Sequence, residues 1–210
     1  MTERKNKTKR GAKLFRAFRF AFFIFGAIAL QSPAAHPKEA YDLGEHSLGV
    51  GFGEVILTGD FAKKYSNTLG VSGIYEYKAS ELFGVLADIS YSKHDSDDGL
   101  NALKIFGVTP NLKINLSYFD RLTAFVMTGF GFFNVSESIG PLYGGSVTTF
   151  GFSAGPGFDL RLNEHAKFGS LVSFHNLFSK TDPNAKNPVG KGMSIGGTYL
   201  RLFLTLQYVF

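Results

Sequence analysis

Cysteine is absent from all 210 residues. That excludes a disulfide framework and a lipid-modified N-terminal cysteine alike. A spanning helix is also missing, because the apolar run from Phe20 to Leu30 has eleven residues where a bilayer crossing needs about 20. No segment sustains a helical period either. A basic excess is the third lack, although it is masked at first sight by 22 basic against 17 acidic side chains. Residues 1 to 34 hold eight of those bases and only Glu3 among the acids, so the remainder carries 14 against 16 and is near −2. The high isoelectric point belongs to the leader, and nucleic acid is not an expected partner.

What is present begins with that leader. Arg4, Lys5, Lys7, Lys9, Arg10, Lys13, Arg16 and Arg19 precede the apolar run, and Gln31-Ser32-Pro33-Ala34-Ala35 follows it. A basic stretch, a short apolar core and small residues define a secretory signal peptide, with cleavage expected after Ala34. The reading therefore divides the chain into a signal peptide (1 to 34), a periplasmic N-terminal segment (35 to 46) and one β domain (47 to 210).

The last segment alternates from Leu200 onward: Leu200, Leu202, Leu204, Leu206, Tyr208 and Phe210 lie on one face, with Arg201, Thr205 and Gln207 on the other. Side chains alternate across a strand, so one face is greasy and one wet. Period-two segments and turn signals give eight strands, at 47 to 58, 67 to 77, 82 to 92, 102 to 116, 122 to 134, 147 to 162, 166 to 177 and 195 to 210. Most reach the 9 to 11 residues, roughly, that a tilted strand needs to cross a bilayer. Short turns at 78 to 81, 117 to 121 and 163 to 165 alternate with longer loops at 59 to 67, 93 to 101, 135 to 147 and 178 to 194. That alternation predicts an eight-stranded antiparallel transmembrane β-barrel with turns in the periplasm and loops outside.

Face assignment is clean for most strands and places Glu76, Asp88, Lys113, Asp159, Arg161, Lys167 and Arg201 in the lumen. Three acids then face four bases in an interior barely wider than its side chains. Such charges must pair or stay hydrated, and a salt-bridge network that plugs the barrel is expected over an ion pore. Two strands resist: Glu54 falls on the lipid face unless a bulge near Gly53 intervenes. Strand five is apolar on both faces, so Phe125, Met127 and Phe133 point inward only if Phe130 and Phe132 face lipid. Pro110 and Pro156 are expected at strand ends or bulges, because proline lacks a ladder donor. Tyr75, Tyr77, Tyr91, Tyr118 and Tyr208 fall near strand ends, where aromatic girdles meet headgroups.

Ala124-Phe125-Val126-Met127-Thr128-Gly129-Phe130-Gly131 and Ala154-Gly155-Pro156-Gly157-Phe158-Asp159 resemble the glycine-rich strands of small outer-membrane β-barrels of the OmpA and OmpW type. The resemblance implies a Gram-negative outer membrane and contact with its lipid and lipopolysaccharide. It also implies a monomer inserted by the barrel-assembly machinery through the terminal signal Leu206, Tyr208 and Phe210. It implies three roles in descending order: a non-enzymatic structural or surface-contact protein, a narrow carrier of small hydrophobic molecules, and a lipid A-modifying hydrolase. For the last, Ser173 and His175, with Glu164 and Asp182 nearby, are the candidates. Their order reverses the His-x-Ser pair of lipid A deacylases, Leu177 stands where serine belongs, and both face inward. Asp95-Ser96-Asp97-Asp98-Gly99 lacks the downstream glutamate of a calcium loop and reads as a solvated loop. His36, His46, His94, His165 and His175 show no metal spacing, so neither metal nor cofactor is expected.

Overall fold

The computed structural model describes residues 44–96, 99–119, 121–140, 143–183 and 193–210. The expected leader and most of the N-terminal segment lie outside them. Eight antiparallel strands close into a barrel in sequence order: β1 (Glu45–Thr58), β2 (Thr68–Lys78), β3 (Phe83–Asp95), β4 (Asn101–Phe119), β5 (Leu122–Ile139), β6 (Tyr143–Asn163), β7 (Ala166–Asp182) and β8 (Met193–Val209). One short 3-10 turn, Phe61–Lys63, interrupts the first outer loop.

Closure is made by β1 against β8, from Ser47 opposite Val209 to Thr58 opposite Thr198. Beyond the ladder, the Phe210 N–H donates to the His46 carbonyl at 2.9 Å. Every edge is thereby paired, as a lipid-exposed backbone requires. Ladder partners followed once around from Ser47 pass through Glu76, Leu86, Asn111, Gly129, Ser153, His175 and Tyr199 and return at Leu57. That ten-residue stagger tilts the strands and narrows the interior to what side chains can fill.

The strands exceed their predicted lengths on the outer side. The stretch 135 to 147, expected to be loop, is mostly ladder, with Val135 opposite Val147 and Ile139 opposite Tyr143. Residues 93 to 95 and 178 to 182 likewise extend β3 and β7. Leaving the apolar layer changes which side chains a strand prefers, yet its hydrogen bonds still hold. Turn residues alone therefore marked the strand ends poorly. At the short-turn end β1 starts at Glu45, two positions before the expected boundary.

Both unresolved strands receive definite faces. The β1 ladders run without a register shift through Gly53, so no bulge forms and Glu54 lies on the outer face among apolar neighbours. Phe125, Met127 and Phe133 point inward and are buried, while Phe130 and Phe132 are exposed outside. The prolines depart from expectation: Pro110 sits mid-strand opposite Ala87, and Pro156 sits opposite Val126. In each case one neighbouring ladder lapses at the proline and resumes in the same register. A missing donor is thus absorbed without a bulge.

Candidate functional site

Inward positions stack into layers along the barrel axis. At the short-turn end, Lys113 Nζ bonds Glu76 Oε1 at 2.7 Å and Asp159 Oδ2 at 2.5 Å, with all three side chains buried. Lys167 lies 3.4 Å from Glu76 Oε2 and 3.6 Å from Glu45 Oε1, and Arg161 donates to Glu45 Oε2 at 2.7 Å. Glu45 and the buried Lys78 were not among the residues expected in the lumen. A first strand that starts at residue 47 leaves out the first, and a turn at 78 to 81 takes in the second. Alternation extended by a single step reaches both. With Asn115, Arg121 and Thr123 they line a recess of about 40 Å³ at the short-turn mouth.

An apolar layer of Ile74, Leu86, Phe125, Met127 and Leu171 lies above this network. Lys113 sits 4.2 Å from the centre of the Phe125 ring, a cation–π contact joining the two layers. Next comes the second ionic element, in which Arg201 Nη1 donates to Asp88 Oδ1 at 2.8 Å. Asp88 is 0 % exposed and Arg201 2 %. The seven predicted lumen charges therefore form two groups separated by hydrocarbon: Glu76, Lys113, Asp159, Arg161 and Lys167 below, Asp88 and Arg201 in the middle.

Ser173 and His175 belong to that middle layer. Ser173 Oγ and His175 Nε2 are 3.0 Å apart, and Arg201 Nε donates to Ser173 Oγ at 3.1 Å. The imidazole stacks on Tyr199 with ring centres 4.6 Å apart and meets Phe133 edge-on. Both residues are 0 % exposed. Ser173 Oγ thus accepts from a guanidinium and lies inside the barrel, away from the lipid-facing wall.

The outer third is the larger apolar layer: Val55, Leu57, Leu103, Ile105, Phe133, Val135, Val147, Leu177, Ile195, Tyr199 and Phe203, with Phe61 and Tyr65 contributed by the first outer loop. Phe133 fits because Gly107 and Gly151 flank it, and a methyl group at either would run into its ring. Phe61 in turn rests over Gly197. The Tyr65 hydroxyl donates to Glu137, and Lys64 approaches the same carboxylate at 3.9 Å. The loop thus lies across the outer mouth as a stopper. On its exposed side Lys63 donates to Asp60 at 2.8 Å. That hydrogen bond holds the Asp60 carboxyl below its ordinary range and the Lys63 ammonium above its own.

The terminal residues Leu206, Tyr208 and Phe210 lie exposed on the outer wall. Tyr208 stacks on His165, and Phe210 on His46, whose Nδ1 is 2.7 Å from the Tyr75 hydroxyl. These rings make a girdle at the short-turn rim. The Tyr118 side chain, Asp97 and Asp98 lie outside the described residues. Among the described residues no group of three His, Asp or Glu side chains is placed to hold a metal.

A closed eight-stranded barrel with a lipid-compatible outer wall and a ringed rim is a small outer-membrane β-barrel. The chain belongs to the outer membrane protein beta-barrel domain family, which it matches over residues 20–199, and its place is the outer membrane. It is similar to OprG from Pseudomonas aeruginosa, with 14% identity, a TM-score of 0.61 and coverage of 81% of this chain and 98% of that one. The neisserial surface protein NspA gives 7% identity and a TM-score of 0.58 over 80% and 99%. Ail of Yersinia pestis, solved with the heparin analogue sucrose octasulfate, gives 16% and 0.51 over 80% and 100%. At such identities the likeness is one of fold. None of the curated proteins matches the sequence.

Proposed function

We propose that this protein is a non-enzymatic outer-membrane barrel whose lumen is a structural plug and whose outer wall and loops serve envelope integrity or surface contact. The observation that carries this reading is the Asp88–Arg201 pair, sealed between two apolar layers. An ion following the axis would have to displace both layers and unpair a desolvated salt bridge.

The carrier reading is favoured if Phe125, Met127 and Phe133 point inward to line a greasy passage. They do, but they fill the interior: Phe133 is 0 % exposed and wedged between glycines. The hydrolase reading required Ser173 and His175 to meet lipid, and both are enclosed. On the same proposal, export uses the leader ending at Ala34, and insertion as a monomer uses Leu206, Tyr208 and Phe210.

Deletion in the native host tests the reading. Loss of the protein should increase detergent sensitivity while the lipid A acyl pattern and the response to hydrophobic toxicants stay unchanged. A changed acyl pattern that His175→Ala reproduces would replace the proposal with an enzyme. Altered toxicant uptake with intact lipid A would replace it with a carrier.

A further inference from the structure

The recess at the short-turn mouth carries more positive charge than its own acids match. Five bases line it against Glu45, Glu76 and Asp159, an excess of two. Those three carboxylates are already shared. Lys113 bonds both Glu76 and Asp159, and Lys167 lies between Glu76 and Glu45. Glu45 also accepts from Arg161 and stands directly opposite Lys78 across the β1–β2 ladder. One carboxylate thus faces three bases.

The excess belongs to the cluster as a whole, and Lys78 and Arg121 bring it to the cavity. Arg161 is taken up by Glu45 and by the carbonyls of Asn163 at 3.3 Å and Glu164 at 3.0 Å. Lys78 is a buried ammonium, 8 % exposed, on the inward face of β2. Glu81 is a further acid near it, but it lies exposed on the turn, where water and salt screen its charge. Arg121, just before β5, is exposed and has no ion pair among the described residues. Thr123, opposite Asp159 on the β5–β6 ladder, adds a hydroxyl to the same wall.

Bases that outnumber their counter-charges are stabilised by an anion brought to them, and an anion loses least hydration where the site opens to water. The recess, about 40 Å³, has room for about three waters at roughly 10–15 Å³ each, or for one small oxyanion. A guanidinium supplies a planar fork, an ammonium a point charge and a hydroxyl a single donor, a set that suits tetrahedral oxygens. We infer that the short-turn mouth is a binding site for a phosphate dianion, free or as a phosphomonoester, held by Lys78, Arg121 and Thr123. The charge of the dianion equals the excess. This goes beyond the structural reading of the lumen. The site ends at the apolar layer of Ile74, Leu86, Phe125, Met127 and Leu171, so the anion enters and leaves by one mouth while the barrel stays plugged.

The test titrates inorganic phosphate into the folded mature protein in an uncharged maltoside detergent, in mildly alkaline buffer where phosphate is a dianion, and reads binding by isothermal titration calorimetry. Glycerol 3-phosphate and chloride serve as comparison probes. Arg121→Gln should weaken phosphate on the order of tenfold, and Lys78→Gln with Arg121→Gln on the order of a hundredfold, given the usual strength of a charge-assisted hydrogen bond. Lys93→Gln, at the outer end of β3, should change nothing. Glycerol 3-phosphate binding beside phosphate supports the site and assigns it to an esterified group, while phosphate binding alone supports it and assigns it to the free ion. Phosphate binding that both variants leave unaltered overturns the inference, as does no binding by folded wild-type protein or competition by chloride at equal concentration. Gel mobility of unheated samples is read in parallel. If the double variant fails to fold, Arg121→Gln decides, because that side chain is exposed and its loss leaves the packed lumen intact.

Discussion

Arg201 reaches across the middle of the barrel from β8 to Asp88 on β3, and its Nη1 donates to Oδ1 over 2.8 Å with neither side chain meaningfully exposed. Among the described residues Asp88 Oδ2 and Arg201 Nη2 have no further hydrogen-bond partner. The pair is therefore sealed but incompletely satisfied, an arrangement in which desolvation offsets much of the attraction.

This relationship predicts a non-additive pattern. Asp88→Ala or Arg201→Met alone strands a buried charge and should destabilise the barrel by about 3–5 kcal/mol. Replacing both by Leu and Met should restore most of that loss. Urea unfolding in lipid vesicles, followed by the heat-dependent gel shift, measures all four proteins. A loss in the double variant equal to the sum of the two single losses would show that the pair is not a coupled unit.

Phe133 predicts a second effect of similar size. Truncation to alanine removes a fully buried ring between Gly107 and Gly151 and should cost about 3–5 kcal/mol. Gly151→Ala, which drives a methyl group into the same ring, should cost about 1–3 kcal/mol. Phe132→Ala, on the exposed wall, should lower the unfolding midpoint less than Phe133→Ala. The reverse ranking would mean that strand five presents its faces the other way round.

Deleting Phe210 removes its stack on His46 and the N–H that donates to the His46 carbonyl. The shortened chain should reach the outer membrane poorly and lose its heat-dependent gel shift. Normal insertion would show that closure and recognition depend on other residues.

Period two was sufficient to find all eight strands, because lipid outside and close packing inside impose opposite demands on neighbouring positions. It failed where both demands favour the same chemistry. In β5 an aromatic suits the lipid and also suits the gap left by Gly107 and Gly151, so only the assembled barrel separates Phe132 from Phe133. The charges were legible as inward residues. Their division into two groups was not, because the stagger that sets Asp88 level with Arg201 depends on the register of every ladder between them. Glu45 and Lys78 were obscured by boundaries drawn one step short.

Ion conductance of the purified protein in a planar lipid bilayer tests the central claim most directly. The filled lumen predicts no discrete current steps above background, with the gel shift confirming that the same sample is folded. Reproducible steps from the folded wild-type protein would contradict the account, since current through this axis requires the Asp88–Arg201 layer and the hydrocarbon on both sides of it to open.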